Sequence, residues 1–160
     1  MKKKDLKKLS KEQLIELLID VSKLNKDNNA YIESKLNLDF DKLHILSCKK
    51  IDKAFCCYEI MNLKDAKKSI TDFKKAKPTK IKLINLCLYY IEIAYELEKS
   101  DWRFQENFYS AIEKTYIIIF DILNKDALLK SKFNVKINFL INDATESWGH
   151  KDWLKDHYES

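Results

Sequence analysis

The sequence predicts an all-α fold, and three observations carry that prediction. The 160 residues hold one glycine and one proline, Gly149 and Pro78. A sheet protein of this length needs glycine and proline at many turns, whereas helices can be capped and ended by Asn, Asp and Ser. Apolar residues also recur at three- and four-residue spacing along most of the chain. Finally, the breaks between these stretches are short and polar. The expected architecture is a single domain over residues 1–160, a bundle of about six or seven helices or an irregular stack of helical hairpins.

The elements follow in order. Residues 1–9 read as a frayed basic tail. Ser10-Lys11-Glu12-Gln13 is a capping box, in which the serine hydroxyl and the glutamine amide satisfy backbone donors of the first turn. Leu14, Leu17, Leu18, Val21 and Leu24 follow at helical spacing, giving a helix over 10–24. Residues 25–29 read as a polar break before a short helix with Ala30, Tyr31 and Leu36, ending near Asn37. Asp39 can cap a third helix carrying Leu43, Leu46, Ile51, Phe55 and Tyr58, with its end at Met61-Asn62. Residues 63–76 form a lysine-rich amphipathic helix with Leu63, Ala66, Ile70 and Phe73 on one face. Pro78 opens the next helix, 79–98, which is apolar nearly all round and belongs at the centre of the fold.

Ser100-Asp101 then breaks and caps the chain before a helix over 103–123, which Asn124 ends. A last long helix covers 126–146. Ile117 to Phe120 is rich in β-formers, but the helical periodicity on both sides favours helix there. Gly149 interrupts the chain, and residues 147–160 read as an aromatic tail packed on the body through Trp148 and Trp153. The 79–98 helix is the expected hub, against which 103–123 and 126–146 pack.

Composition narrows the function classes. Lysine supplies nearly all the basic charge, with Arg103 the only arginine, and the formal net charge is +5. Together with the heavy use of Asn and Ile, this pattern reflects AT-rich codon usage as well as function. Dedicated phosphate readers use several arginines, because a guanidinium grips phosphate in a bidentate fork. The start, Met1 followed by three lysines, leads into no apolar stretch, so no secretory leader is expected. The most apolar run, Ile81 to Leu97, is interrupted by Asn85, Glu92 and Glu96, so no membrane span is expected. A cytoplasmic location and free thiols at Cys48, Cys56, Cys57 and Cys87 follow.

Three segments together resemble the DUF6155 family of small bacterial proteins. They are Leu9-Ser-Lys-Glu-Gln-Leu-Ile-Glu16 with Tyr31 beyond it; the basic helix and central apolar helix leading to Ser100-Asp101 and Phe108-Tyr109-Ser110-Ala111; and Trp148-Gly149-His150-Lys151-Asp152-Trp153-Leu154. The resemblance implies a soluble helical bacterial protein and brings no established activity and no catalytic residues with it.

Read directly, three groups of residues could carry function. The first is a basic face over Lys64–Lys82. Lys64, Lys67, Lys68, Lys74, Lys75, Lys77 and Lys80 could neutralise phosphates without reading sequence, or simply be a solvated helix face. The second is an aromatic cluster with Trp102, Arg103, Phe104 and Tyr109, residue types that dominate binding at protein interfaces; it could equally fill the core. The third is the tail, where His150, Asp152 and His157 are weak candidates for a metal-dependent enzyme; a zinc site asks for three or four ligands with outer partners. His44 and Cys48 lie four apart, but there is no Cys-x-x-Cys, no glycine-rich phosphate loop, no Glu-x-x-His and no His-Glu-x-x-His. No cofactor is expected. The reading is a non-enzymatic protein-interaction module or complex subunit, partnered by another protein or by itself. A nucleic-acid-associated module is the alternative, and a metal enzyme the second alternative.

Overall fold

A computed structural model describes residues 3–56, 58–100 and 103–159. The fold is all-α: 84% of it is helical, and no strand occurs among the described residues. Nine α-helices are described, α1 Lys3–Leu6, α2 Lys11–Leu24, α3 Lys26–Asn37, α4 Asp41–Ala54, α5 Leu63–Lys75, α6 Lys80–Ser100, α7 Glu106–Leu123, α8 Ala127–Asp143 and α9 His150–Glu159. Two short 3-10 turns, Tyr58–Ile60 and Ser147–Gly149, precede α5 and α9. The chain divides into two units at Leu46, part-way along α4.

The first unit, Met1–Leu46, holds α1 to α3 and the start of α4. The capping box forms as the sequence expects, with Ser10 Oγ accepting from Gln13 N at 3.2 Å and Gln13 Oε1 accepting from Ser10 N at 2.8 Å. The expected break over 25–29 shrinks to one residue. Asn25 is fully extended and its side chain accepts from Asn28 N at 2.8 Å, so α3 begins at Lys26 rather than near Ala30. Asn28 Nδ2 then donates to Val21 O at 3.1 Å, tying α3 back to α2. With no glycine to hand, α3 ends on Leu38 in the left-handed conformation, φ 53°. Asp39 Oδ1 accepts from Asp41 N and starts α4, as its position predicted.

In the second unit, Ser47–Ser160, α4 stops at Ala54 and not at Met61. The chain loops back so that Asn62 N donates to Ala54 O at 2.9 Å, and Asn62 Oδ1 caps α5 at Asp65 N. α5 buries Ala66, Ser69, Ile70 and Phe73. Lys77 ends that segment at φ 54°, again left-handed. α6 is buried along most of its length, but it does keep a wet strip through Asn85, Glu96 and Lys99. Ion pairs from this side reach α8, Lys136 to Glu92 at 2.8 Å and Lys99 to Asp143 at 3.0 Å.

The hub is α7 rather than α6, because α5, α6, α8 and α9 all pack against α7. Against these neighbours α7 buries Phe108, Ile112, Tyr116, Ile119, Phe120 and Leu123. Its β-rich stretch, Ile117 to Phe120, is helical. The last segment is a helix too. Trp148 and Gly149 sit in succession at positive φ, 56° and 67°, and turn the chain sharply into α9. His150, Leu154 and Tyr158 then face inward at four-residue spacing. Trp148, expected to clamp the tail, is exposed, and Tyr158 takes over that task by donating to Asn134 Oδ1 at 2.7 Å. Among the described residues, no helix is long and apolar enough to cross a membrane.

Candidate functional site

One exposed apolar surface lies on α2. This helix has no buried residue, and Ile15, Leu18 and Ile19 are 47%, 49% and 46% exposed. Its apolar side chains, Leu14 to Leu24, span an arc of about 220° at 100° per residue, too wide for α3 alone to cover. Leu14 and Val21, inside that arc, are half-buried where α3 packs, but Leu18, at its midpoint, is exposed. The flanks stay open.

A groove of about 610 Å³ runs beside one of those flanks. Its walls come from the end of α2 (Ser22, Lys23), from α3 (Lys26, Asn29, Ala30, Glu33) and from α4 (Lys42, Ile45, Leu46). Ile15, Ile19, Ser22 and Lys23 lie within about 100° of one another on α2, so the exposed isoleucines share the side of the helix that faces the groove. Ile45 is half-exposed in it, and Ala30 closes the floor. Glu33 accepts from Lys42 Nζ at 2.8 Å, and this bond holds the Glu33 carboxyl below its ordinary pKa and the Lys42 ammonium above. Lys23 and Lys26 form no ion pair among the described residues.

The lysine face lies on α5 and the segment after it. Lys64, Lys67, Lys68, Lys74 and Lys77 are exposed and form no ion pair among the described residues. Lys75 is engaged by Asp72 at 3.0 Å and Lys80 by Asp126 at 2.9 Å, which removes two of the seven expected cations from the free set. Lys74 and Lys80, with Lys125 and Asp121, also rim a small hollow of about 270 Å³ floored by Leu83, Ile118 and Ile122.

The aromatic cluster turns inward. Phe104 is buried and stacks on Phe108 at 4.0 Å between ring centroids. Tyr109 is buried as well, and its hydroxyl donates to Glu98 at 2.9 Å. Arg103 pairs with Glu59 at 3.1 Å. Trp102, the Asp101 cap and Cys57 lie outside the described residues. Phe104 and Tyr109 therefore offer no surface to a partner; exposed apolar side chains lie on α2 and also on α8, at Leu128, Val135 and Phe139. Ile15 and Ile19 gave the available signal: they are apolar, four apart, and off the Leu14/Val21 stripe.

The tail's candidate ligands part company. His150 is fully buried, whereas Asp152 is exposed and His157 is exposed and stacked on Trp153 at 3.9 Å. Among the described residues, no three His, Cys, Asp or Glu gather as a metal site would require. His150 has other partners. Its Nδ1 lies 3.0 Å from Glu113 Oε1 and its Nε2 3.0 Å from the Tyr95 hydroxyl, which in turn lies 3.4 Å from the Tyr116 hydroxyl. A carboxylate can only accept, so the network assigns the proton to Nδ1 and leaves Nε2 to accept from Tyr95. Burial pushes the Tyr95 and Tyr116 phenols upward, keeping both protonated. A carboxylate–imidazole–phenol chain is capable of proton transfer, but Tyr95 and His150 are 2% and 0% exposed, so no substrate reaches the ring nitrogens from solvent.

The three described thiols differ in exposure. Cys56 is exposed, Cys48 half-buried and Cys87 buried. Burial pushes Cys48 up to about 11 and Cys87 up to about 12, so neither supplies a thiolate near neutral pH. Comparison with models of protein families, with curated proteins and with solved structures finds no match to this chain.

Proposed function

We propose that this chain is a non-catalytic helical interaction module of the cytoplasm, an adaptor or subunit that docks a protein, another chain or a second copy of itself, through α2. One observation carries the reading: a capped, amphipathic helix with none of its seven large apolar residues buried. Ile15, Leu18 and Ile19 are each about half exposed. Covering roughly 80 Å² on each would contribute about 2 kcal/mol per side chain at 25 cal/mol per Å². A contiguous apolar surface of this kind marks an interaction site more often than an idle one.

The test combines light scattering with affinity capture, for the wild type and for Leu18→Glu and Ile19→Glu. The charge variants should lose self-association or partner capture while keeping their helical circular dichroism. A strict monomer whose captured set is the same with and without the two glutamates refutes the reading.

The five unpaired lysines on and after α5 favour a second reading, a nucleic-acid-associated face. Binding would be independent of sequence and would weaken steeply with salt. Fluorescence anisotropy with duplex and single strands decides it. Binding that persists unchanged after Lys64, Lys67, Lys68 and Lys74 are replaced by Glu rules it out.

A further inference from the structure

We infer that the groove between α2, α3 and α4 receives an acidic amphipathic helix from a partner protein. The inference rests on the interaction-module reading and gives it a site and a partner chemistry. Shape comes first. The groove is about 610 Å³, and the side of α2 that bears Ser22 carries the exposed Ile19 and Ile15 beyond it. Seven residues of α2 at 1.5 Å each make that extension about 10 Å, so one side of a two- to three-turn helix fits against it. The apolar ground that such a helix would cover is Ile15, Ile19, Ala30, Ile45 and Leu46, suited to anchors at i, i+3 or i+4, and i+7.

Charge selects among helices of that shape. Three lysines, Lys23, Lys26 and Lys42, stand in the groove wall against one carboxylate, Glu33. Glu33 is already bonded to Lys42, while Lys23 and Lys26 have no ion partner among the described residues. Lys23 lies in the last turn of α2 and Lys26 begins α3, so both ammonium groups flank the same apolar floor. A basic helix would bring like charges together there. An acidic one would satisfy two cations that the fold leaves open, strengthening encounter and orientation. Asn25, between them in sequence, adds an amide N–H group able to donate to a carboxylate side chain.

A displayed library of helical peptides tests this, with leucines fixed at i, i+3, i+4 and i+7 and with Glu, Gln or Lys randomised elsewhere. It is panned on the full chain and on its Ile45→Glu and Lys23→Glu/Lys26→Glu variants. Peptides retained by the wild type should carry net negative charge and should be lost on Ile45→Glu. On the double lysine variant the preference should swing toward lysine-rich peptides, by about tenfold for two partly exposed pairs. Retained peptides that are neutral or basic, retention that ignores Ile45→Glu, or no retention at all overturns the inference. If that happens while Leu18→Glu and Ile19→Glu still abolish partner capture, the interaction module survives with its contact elsewhere on α2. If those variants change nothing either, both readings fall.

Discussion

Removing one hydroxyl from each of two tyrosines on α6 should shift stability in opposite directions. Tyr90 and Tyr95 are five residues apart and both buried. The Tyr90 ring packs edge-on against Phe55 at 5.0 Å, but its hydroxyl has no hydrogen-bond partner among the described residues. Tyr95 instead donates to His150 Nε2 at 3.0 Å and lies 3.4 Å from the Tyr116 hydroxyl. Tyr90→Phe therefore removes a buried polar atom whose desolvation nothing offsets, a gain of about 1 kcal/mol. Tyr95→Phe loses one good bond and leaves a buried imidazole nitrogen without a donor, a cost of about 2–3 kcal/mol. At 2–4 °C per kcal/mol for a chain of this size, Tm should rise by about 3 °C in the first variant and fall by about 8 °C in the second. Urea unfolding followed by circular dichroism reads both, with unchanged m values confirming that only stability has moved. Equal shifts of the same sign would refute the assignment of an orphan hydroxyl at Tyr90 and a partnered one at Tyr95.

Further outcomes follow from the same contacts. His150→Phe should cost about 2–4 kcal/mol, because it strands the Glu113 carboxylate and the Tyr95 hydroxyl, and combining it with Glu113→Leu should recover part of the loss; a fully additive double mutant in urea unfolding would disprove the coupling. Leu38→Gly should stabilise by about 0.5–1 kcal/mol, since a left-handed leucine is strained and this side chain is 79% exposed, so little burial is lost; thermal melts decide it. Iodoacetamide at pH 8 should label Cys56 rapidly and Cys87 only after unfolding, as peptide mapping would reveal. Stability should hold below pH 9 and fall as the pH rises from there toward 12. Cys87 titrates at 9.0 when free and is pushed to about 12 by burial, while burial and a bond to Glu98 hold Tyr109 at about 12, so the unfolded chain releases these protons first. Cys87→Ala should remove about 2 kcal/mol of that loss at pH 10.5, and an unaltered pH profile would show that the thiol is not buried.

What could be read from the chain was local. The capping box at Ser10, the buried stripe of α5 and the cap at Asp39 each depend on residues within a turn or two, and each formed as its spacing predicted. Element ends were less legible where one residue had to act in two roles. Asn25 both ends α2 and caps α3, which closed a five-residue gap to one. The hub was misplaced because being apolar all round marks burial without saying what lies around a helix. α7, whose apolar residues cover a narrower arc, has neighbours on more sides. The partners of His150 were out of reach for a simpler reason: Glu113 is 37 residues away and Tyr95 is 55, and no spacing rule spans such distances. The aromatic cluster was ambiguous from the start, since interface and core favour the same residue types, and only the packing of α7 with its neighbours turned Phe104 and Tyr109 inward.

The proposed docking reading rests on how chemistry is distributed between inside and outside. A chain of groups capable of moving a proton, Glu113 through His150 to Tyr95 and Tyr116, joins α7, α9 and α6 from within. Enclosed in this way, it acts as a brace. It fixes the first residue of α9 against two other helices, and the left-handed pair Trp148 and Gly149 delivers His150 to that position. A side chain bonded at both ring nitrogens and sealed from water contributes to the uniqueness of the fold and has little to offer a substrate. The surplus lies in the opposite place. α2 keeps isoleucine and leucine in water, and beside it Lys23 and Lys26 remain without ion partners among the described residues. Apolar area that folding leaves exposed becomes favourable only when something covers it, and unpaired charge at its margin selects what that is. A helix able to do both would find on the first unit the two terms of binding energy that the fold itself does not use.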